Sequence, residues 1–158
     1  MNFRIFCLLL SITIISCDDT QIYDDYKSTG NAWHQDSIVT FNLPKMDQKK
    51  YYNLFLNIRN NNEYEFNNMF LLVSMEYPNG LTKVDTLEYM MANPDGSLMG
   101  EGFSDTKESK LFYKENFKFD KKGLYKINIQ QAIRQAGKVA GVKKLNGVTE
   151  VGFRVEKN

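Results

Sequence analysis

Residues 70–89 read FLLVSMEYPNGLTKVDTLEY, and the fold follows from the way these side chains alternate. Leu71, Val73, Met75 and Tyr77 take every second position, so in an extended chain they share one face. Pro78-Asn79-Gly80 then supplies a turn, because proline presets φ and Asn-Gly accepts positive φ at little cost. The returning arm holds Leu87 and Tyr89 in phase and Val84 out of phase, which predicts a bulge near Lys83 to Asp85. One hairpin with one apolar face needs a second apolar surface to cover it.

The rest of the chain supplies that surface. Upstream, Val39, Phe41 and Leu43 alternate until Pro44 ends the run, and Tyr52, Leu54, Leu56 and Ile58 alternate with Phe55 on the opposite face. Between them and the hairpin, the Asn-rich stretch Arg59 to Asn68 predicts a long solvated loop or connection, since asparagine disfavours strand interiors. Downstream, Asn93-Pro94-Asp95-Gly96 opens a Gly-containing crossover through Gly100 and Gly102. Leu111, Tyr113, Phe117 and Phe119 then share a face, followed by a turn at Asp120 to Gly123 and by Tyr125, Ile127 and Ile129. Gln130 to Ala136 predicts one or two helical turns stopped by Gly137, and Val151, Phe153 and Val155 form a last strand. The expectation is an all-β chain: an antiparallel β-sandwich of about seven to eight strands with one short helix near the C-terminal end. A barrel would bury the same faces.

The amino terminus has a different character. Arg4 precedes an apolar run from Ile5 to Ile15, then Ser16-Cys17-Asp18-Asp19. A charged start, a short apolar stretch and a small residue describe a secretory signal peptide, and the run is too short to span a bilayer. Ile14-Ile15-Ser16-Cys17 has the order of a lipobox, in which Cys17 receives a diacylglycerol thioether and cleavage follows Ser16. The expected organisation is a signal peptide at 1–16, a lipidated Cys17 with a polar tether at 17–31, and one sandwich domain at 32–158. Ile22, Tyr23 and Tyr26 also allow the tether to dock as a short strand.

Composition excludes several functions. Both cysteines lie within the first 17 residues, so the mature chain has no disulfide and no thiolate metal site. The 158 residues carry a net charge of +1, with lysines interspersed among acids, which argues against nucleic acid. His34 is the sole histidine, so zinc sites and nucleophilic triads lack their usual members. Asp85 with Glu88, Asp95 with Glu101 and Asp105 with Glu108 are spaced acids with no sign of facing across a substrate. Neither catalysis, a metal, a cofactor nor a small-molecule substrate is expected. Trp33, Tyr64 and Phe66 fall outside the alternating runs and are candidate partner or glycan contacts, or they fold back over the end of the sandwich.

Longer motifs go further. Tyr52-Asn53-Leu54-Phe55-Leu56-Asn57-Ile58-Arg59-Asn60, Asp85-Thr86-Leu87-Glu88-Tyr89, Ala92-Asn93-Pro94-Asp95-Gly96, Ile129-Gln130-Gln131-Ala132-Ile133-Arg134 and Gly147-Val148-Thr149-Glu150-Val151-Gly152-Phe153-Arg154-Val155-Glu156 occur in collinear order. Together with Lys107-Glu108-Ser109-Lys110, Tyr113-Lys114-Glu115 and the lipobox, they resemble the GldH family of gliding-motility lipoproteins of Bacteroidetes. The resemblance implies a non-enzymatic lipoprotein of the cell envelope, expected at the outer membrane with its periplasmic or surface side left open. It implies contacts with other proteins of the gliding and type IX secretion machinery, and it carries over one functional residue, Cys17. Asp36-Ser37-Ile38 and Asp85-Thr86-Leu87 resemble O-glycosylation acceptors of that group, at Ser37 and Thr86. A glycan-binding lipoprotein using Trp33, Tyr64 or Phe66 is the second reading.

Overall fold

The computed structural model describes residues 19–134, 137 and 140–158. Cys17 and the leader lie outside them. The described residues contain ten strands and no helix: β1 Gln21–Ser28, β2 Ala32–His34, β3 Val39–Asn42, β4 Tyr52–Asn60, β5 Asn68–Glu76, β6 Thr82–Met90, β7 Lys107–Phe117, β8 Lys126–Gln131, β9 Lys144–Asn146 and β10 Val148–Lys157. They form a four-stranded sheet β1-β10-β4-β7, a second four-stranded sheet β3-β8-β5-β6 and a small pair β2-β9. Every pairing is antiparallel. The arrangement is a sandwich.

The alternation read from the sequence is what the two large sheets bury. Leu54, Leu56, Ile58, Val151, Phe153 and Val155 point inward from the first sheet. They meet Phe41, Leu71, Val73, Met75, Ile127 and Ile129 from the second, with the Phe41 and Phe153 rings 6.1 Å apart. Burying each such side chain stabilises the fold by roughly 1.5–3 kcal/mol before entropy is charged against it.

Four expectations need correction or resolution. The 70–89 hairpin forms, but β5 and β6 pair without a slip from Met69↔Tyr89 to Glu76↔Thr82, so there is no bulge near Lys83 to Asp85. Val84 is simply exposed on the outer side of an edge strand, and Asp85 takes the inward position. Inside, the Asp85 carboxylate accepts the Tyr113 hydroxyl at 2.7 Å and pairs with Lys114 at 2.8 Å. An inward-pointing charge of this kind also discourages edge-to-edge pairing.

The helix expected at Gln130 to Ala136 is absent from the described residues. Gln130 and Gln131 close β8, and burial of Ile127, Ile129, Gln131 and Ile133 continues the period of two where helical propensity suggested a period near four. The buried Gln131 amide is satisfied by donating to the Val142 carbonyl at 2.7 Å. Residues 135 and 136 lie outside the described residues.

Of the two options for 17–31, docking is the one adopted between Gln21 and Ser28. There β1 pairs along β10, and the Lys157 amide donates to the Thr20 carbonyl at 2.8 Å. Finally, the Asn-rich stretch is a crossover between sheets, from β4 to β5, and its start is not solvated, since Asn60 is fully buried.

The sandwich has two ends with separate plugs. Where β1, β4, β6 and β8 begin, Phe119 packs edge-on against Tyr52 at 5.4 Å, Tyr125 at 4.9 Å and Phe117 at 4.9 Å. At the opposite end, the small β2-β9 pair contributes Trp33 and Leu145, both fully buried, to the same core as Tyr64 and Val148.

Candidate functional site

The crossover from β6 to β7, residues 91–106, ends in the most exposed large apolar side chain of the described residues, Phe103, at 98%. Its path is fixed by backbone bonds. The Met91 amide donates to Asn67 O at 2.7 Å and the Met99 amide to Met91 O at 2.8 Å, which closes a small loop around the Asn93–Gly96 turn. In that turn Asp95 Oδ1 accepts the Ser97 amide at 2.9 Å. Glu101 and Glu108 then exchange two backbone bonds, at 2.8 and 2.7 Å, forming a narrow hairpin that carries Phe103 at its tip.

The sequence allows this hairpin because of two glycines. A Cβ on Gly100 would stand 2.6 Å from the Glu108 carbonyl oxygen, and one on Gly102 would stand 2.3 Å from the Thr106 carbonyl oxygen. Ser104 takes a positive φ of 59° to complete the bend. The crossover is therefore tied down, and Phe103 is held out by it. Met90 and Met99 are exposed beside it, and with Leu111 they line a shallow open hollow between Glu101 and Lys110. Rigid aromatic side chains on a preformed loop lose little entropy on binding and serve as anchors at interfaces. Two nearby connections are acidic, and Lys107 at the root of the hairpin donates to the Gly102 carbonyl at 3.2 Å. Glu63, Glu65, Asp95, Glu101 and Asp105 lie in the 61–67 and 91–106 connections, which contain no lysine or arginine.

The root of the hairpin is held by the outer face of the first sheet. Glu108, Arg59, Glu150 and Ser28 share a rung across the four strands. Arg59 bonds Glu108 at 2.7 Å and Glu150 at 2.5 Å, and its guanidinium stacks 4.3 Å over the Tyr26 ring. The Tyr26 hydroxyl donates to Glu108 at 2.7 Å and accepts from Asn57 at 2.8 Å. Tyr26 reaches across β10 only because residue 152 is glycine, since a Cβ there would meet its ring at 2.8 Å. Burial pushes the Glu108 carboxyl up, but the Tyr26 and Arg59 hydrogen bonds outweigh it and hold the group below its ordinary value. Burial, then the Glu108 carboxylate, pushes the Tyr26 phenol well above its ordinary value.

The residues singled out from sequence lie elsewhere. Trp33 is fully buried, with its indole N–H donating to Ser37 O at 2.8 Å. Tyr64 is 5% exposed, donates to Asn68 O at 2.6 Å and packs edge-on against the half-buried Phe66 at 5.8 Å. A stacking platform needs a ring open to solvent. Trp33 and Tyr64 instead fold back over the end of the sandwich, because their short segments cap a core that the main strands leave uncovered. His34 is exposed beside Trp33, and Ser37 and Thr86 are both exposed. The carboxylate pairs do not converge: Asp85 is turned inward and Glu88 outward, where Glu88 accepts from Asn68 at 2.8 Å, while Asp105 faces Asn62. Among the described residues no group of three His, Cys, Asp or Glu could hold a metal, and no helix is long and apolar enough to cross a membrane. Phe103 was missed, although an aromatic directly after Gly-x-Gly and outside any alternating run is a readable signal.

A family model described as GldH lipoprotein matches residues 21–155. The gliding motility lipoprotein GldH of Flavobacterium johnsoniae is 61% identical over 149 residues, covering 94% of this chain and 92% of that protein. A protein of Christiangramia forsetii named as a GldH homolog is 50% identical over 157 residues, covering 99% and 96%. Among solved structures, the VP2 subviral particle of infectious bursal disease virus aligns with a TM-score of 0.37 at 11% identity, covering 87% of this chain and 34% of that one.

Proposed function

The chain belongs to the GldH lipoprotein family, and on that premise we propose that it works as a non-enzymatic, membrane-anchored lipoprotein of gliding motility. In this reading Cys17 carries the lipid, residues 1–16 are removed, and the sandwich stands in the cell envelope at the outer membrane. Its work is contact with other proteins of the gliding and type IX secretion machinery.

The observation that carries this reading is Phe103, fully exposed on a hairpin that glycines and backbone bonds hold in one shape. An apolar anchor presented this way is costly to leave in water and useful against a partner's pocket. The burial of Trp33 and Tyr64 weighs against the glycan-binding alternative and leaves it the half-buried Phe66. Exposed Ser37 and Thr86 are consistent with O-glycosylation, which intact-mass measurement of the native protein would detect at each position.

The test is genetic and local. Deleting the gene abolishes colony spreading. Restoring it with Phe103→Ala leaves protein abundance and membrane fractionation unchanged and still fails to restore spreading. Normal spreading by the Phe103→Ala strain would reject the hairpin as the contact, and normal spreading by the deletion strain would reject the motility role.

A further inference from the structure

The end of the sandwich opposite Phe103 is built differently, and the path of β1 ties it to the anchor. β1 starts at Gln21, and the Thr20 carbonyl is already held by the Lys157 amide. Three residue steps separate Thr20 from Cys17, a reach of at most about 11 Å for an extended chain. A lipid on Cys17 therefore leaves this end no room to stand away from the bilayer. The distance is close to the Debye length of about 8 Å at physiological salt, so charges here feel the headgroups.

The charges at this end are mostly lysines. The connection from β3 to β4 carries Lys45, Lys49 and Lys50, that from β7 to β8 carries Lys118, Lys121 and Lys122, and β10 ends in Lys157. Asp47 and Asp120 are the acids of those two connections, and they pair with Lys50 at 3.9 Å and Lys121 at 3.1 Å. Among the described residues Lys45, Lys49, Lys118, Lys122 and Lys157 have no carboxylate partner. Asp18 and Asp19 next to the anchor subtract from this charge but do not cancel it.

Apolar groups stand among the lysines. Tyr51 is 50% exposed, with Lys118 lying 5.5 Å over its ring, and Leu81 and Leu124 are 49% and 59% exposed. Gly123 lets the two turns pack together, since a Cβ there would meet Pro78 at 2.6 Å, so the exposed Leu81 and Leu124 lie in adjacent turns. Lysines interspersed with a tyrosine and leucines match an anionic lipid interface: the ammonium groups meet phosphates while the apolar tips enter the headgroup layer.

We propose that this end, formed by residues 44–51, 77–81, 118–125 and Lys157, is a membrane-docking surface that binds anionic phospholipid headgroups and stands the sandwich upright on the bilayer. Upright docking holds Phe103 at the far end of the domain, the length of the strands away from the lipid. The inference rests on the reading that Cys17 is lipidated, and it adds an orientation that lipidation alone does not impose.

The test uses full-length protein purified from membranes and returned to vesicles of phosphatidylcholine, with or without phosphatidylglycerol. Lysines are acetylated briefly and read by peptide mass spectrometry, after intact mass has established the lipid on Cys17. On phosphatidylglycerol vesicles the lysines at 45, 49, 50, 118, 121, 122 and 157 react at least about threefold more slowly than on neutral ones, while Lys107, Lys143 and Lys144 are unchanged. High salt, or Lys121→Glu with Lys122→Glu, removes the protection without altering Trp33 emission. A lipidated protein whose two ends react alike on anionic vesicles overturns the proposal alone. An unmodified Cys17 overturns the anchoring reading and the orientation with it. Protection in cells that is absent on vesicles overturns the membrane in favour of an acidic protein.

Discussion

Both ends of this sandwich are plugged by buried aromatics, yet they present different surfaces to the outside. At one end Phe119 and its neighbours lie beneath lysine-bearing turns within reach of Cys17. At the other, Tyr64 lies in one of two acidic connections, the second of which exposes Phe103, while Trp33 lies in the β2-β9 pair beside Lys143 and Lys144. The aromatics beneath serve stability, and the side chains above are the ones proposed to make contact. Two phenylalanines make the separation plain: Phe119 is fully buried and Phe103 is almost fully open.

That separation can be broken most visibly by cutting into a plug. Trp33→Ala removes a fully buried indole and its bond to Ser37, and it is expected to cost about 3–5 kcal/mol in chemical denaturation. Phe103→Ala at the same end is expected to stay within about 0.5 kcal/mol of the parent while abolishing contact. Equal losses for the two would erase the distinction between plug and contact.

A second, smaller effect sharpens it. Gly102→Val places a side chain against the Thr106 carbonyl and is expected to cost about 1–3 kcal/mol, confined to the hairpin. Faster amide exchange at Glu101 and Glu108, with β4 and β10 unaffected, would be its signature.

Acid should act on the same end. Because the folded Glu108 carboxyl titrates below its ordinary value, its contribution is full above the unfolded carboxylate pKa near about 4.3. It is lost as pH falls through the lower, folded value. Amide protection factors at the root of the hairpin are therefore expected to fall as acid protonates Glu108, and Glu108→Gln should remove much of that dependence. The smallest stability effect belongs to the other end, where Lys121→Glu with Lys122→Glu should leave the melting temperature nearly unchanged while weakening membrane docking.

The sequence was most legible where strands are long and one face is buried. The alternations at 39–43, 52–58, 71–77 and 151–155 are the core strands themselves, because burial on one side imposes a period of two. Shorter or polar elements escaped it. β2 and β9 have three residues each, too few to show a period, so the burial of Trp33 could not be read. β1 is an edge strand with a polar sequence, and its docking depends on Tyr26 lying over Gly152, a contact between residues distant in the chain. Gln130 to Arg134 has good helix formers, and tertiary pairing overrode them. Phe103 follows Gly-x-Gly outside any alternating run, which marks it as a loop aromatic, but its degree of exposure depends on how the hairpin folds.

The central claim is that the two ends face different neighbours, and one measurement addresses it directly. A photoactivatable amino acid is placed at position 103 or at position 122 of the full-length chain in gliding cells, and adducts are analysed after irradiation. Protein adducts at 103 with lipid and no protein at 122 are the predicted result. Protein adducts at 122 with none at 103 would contradict it.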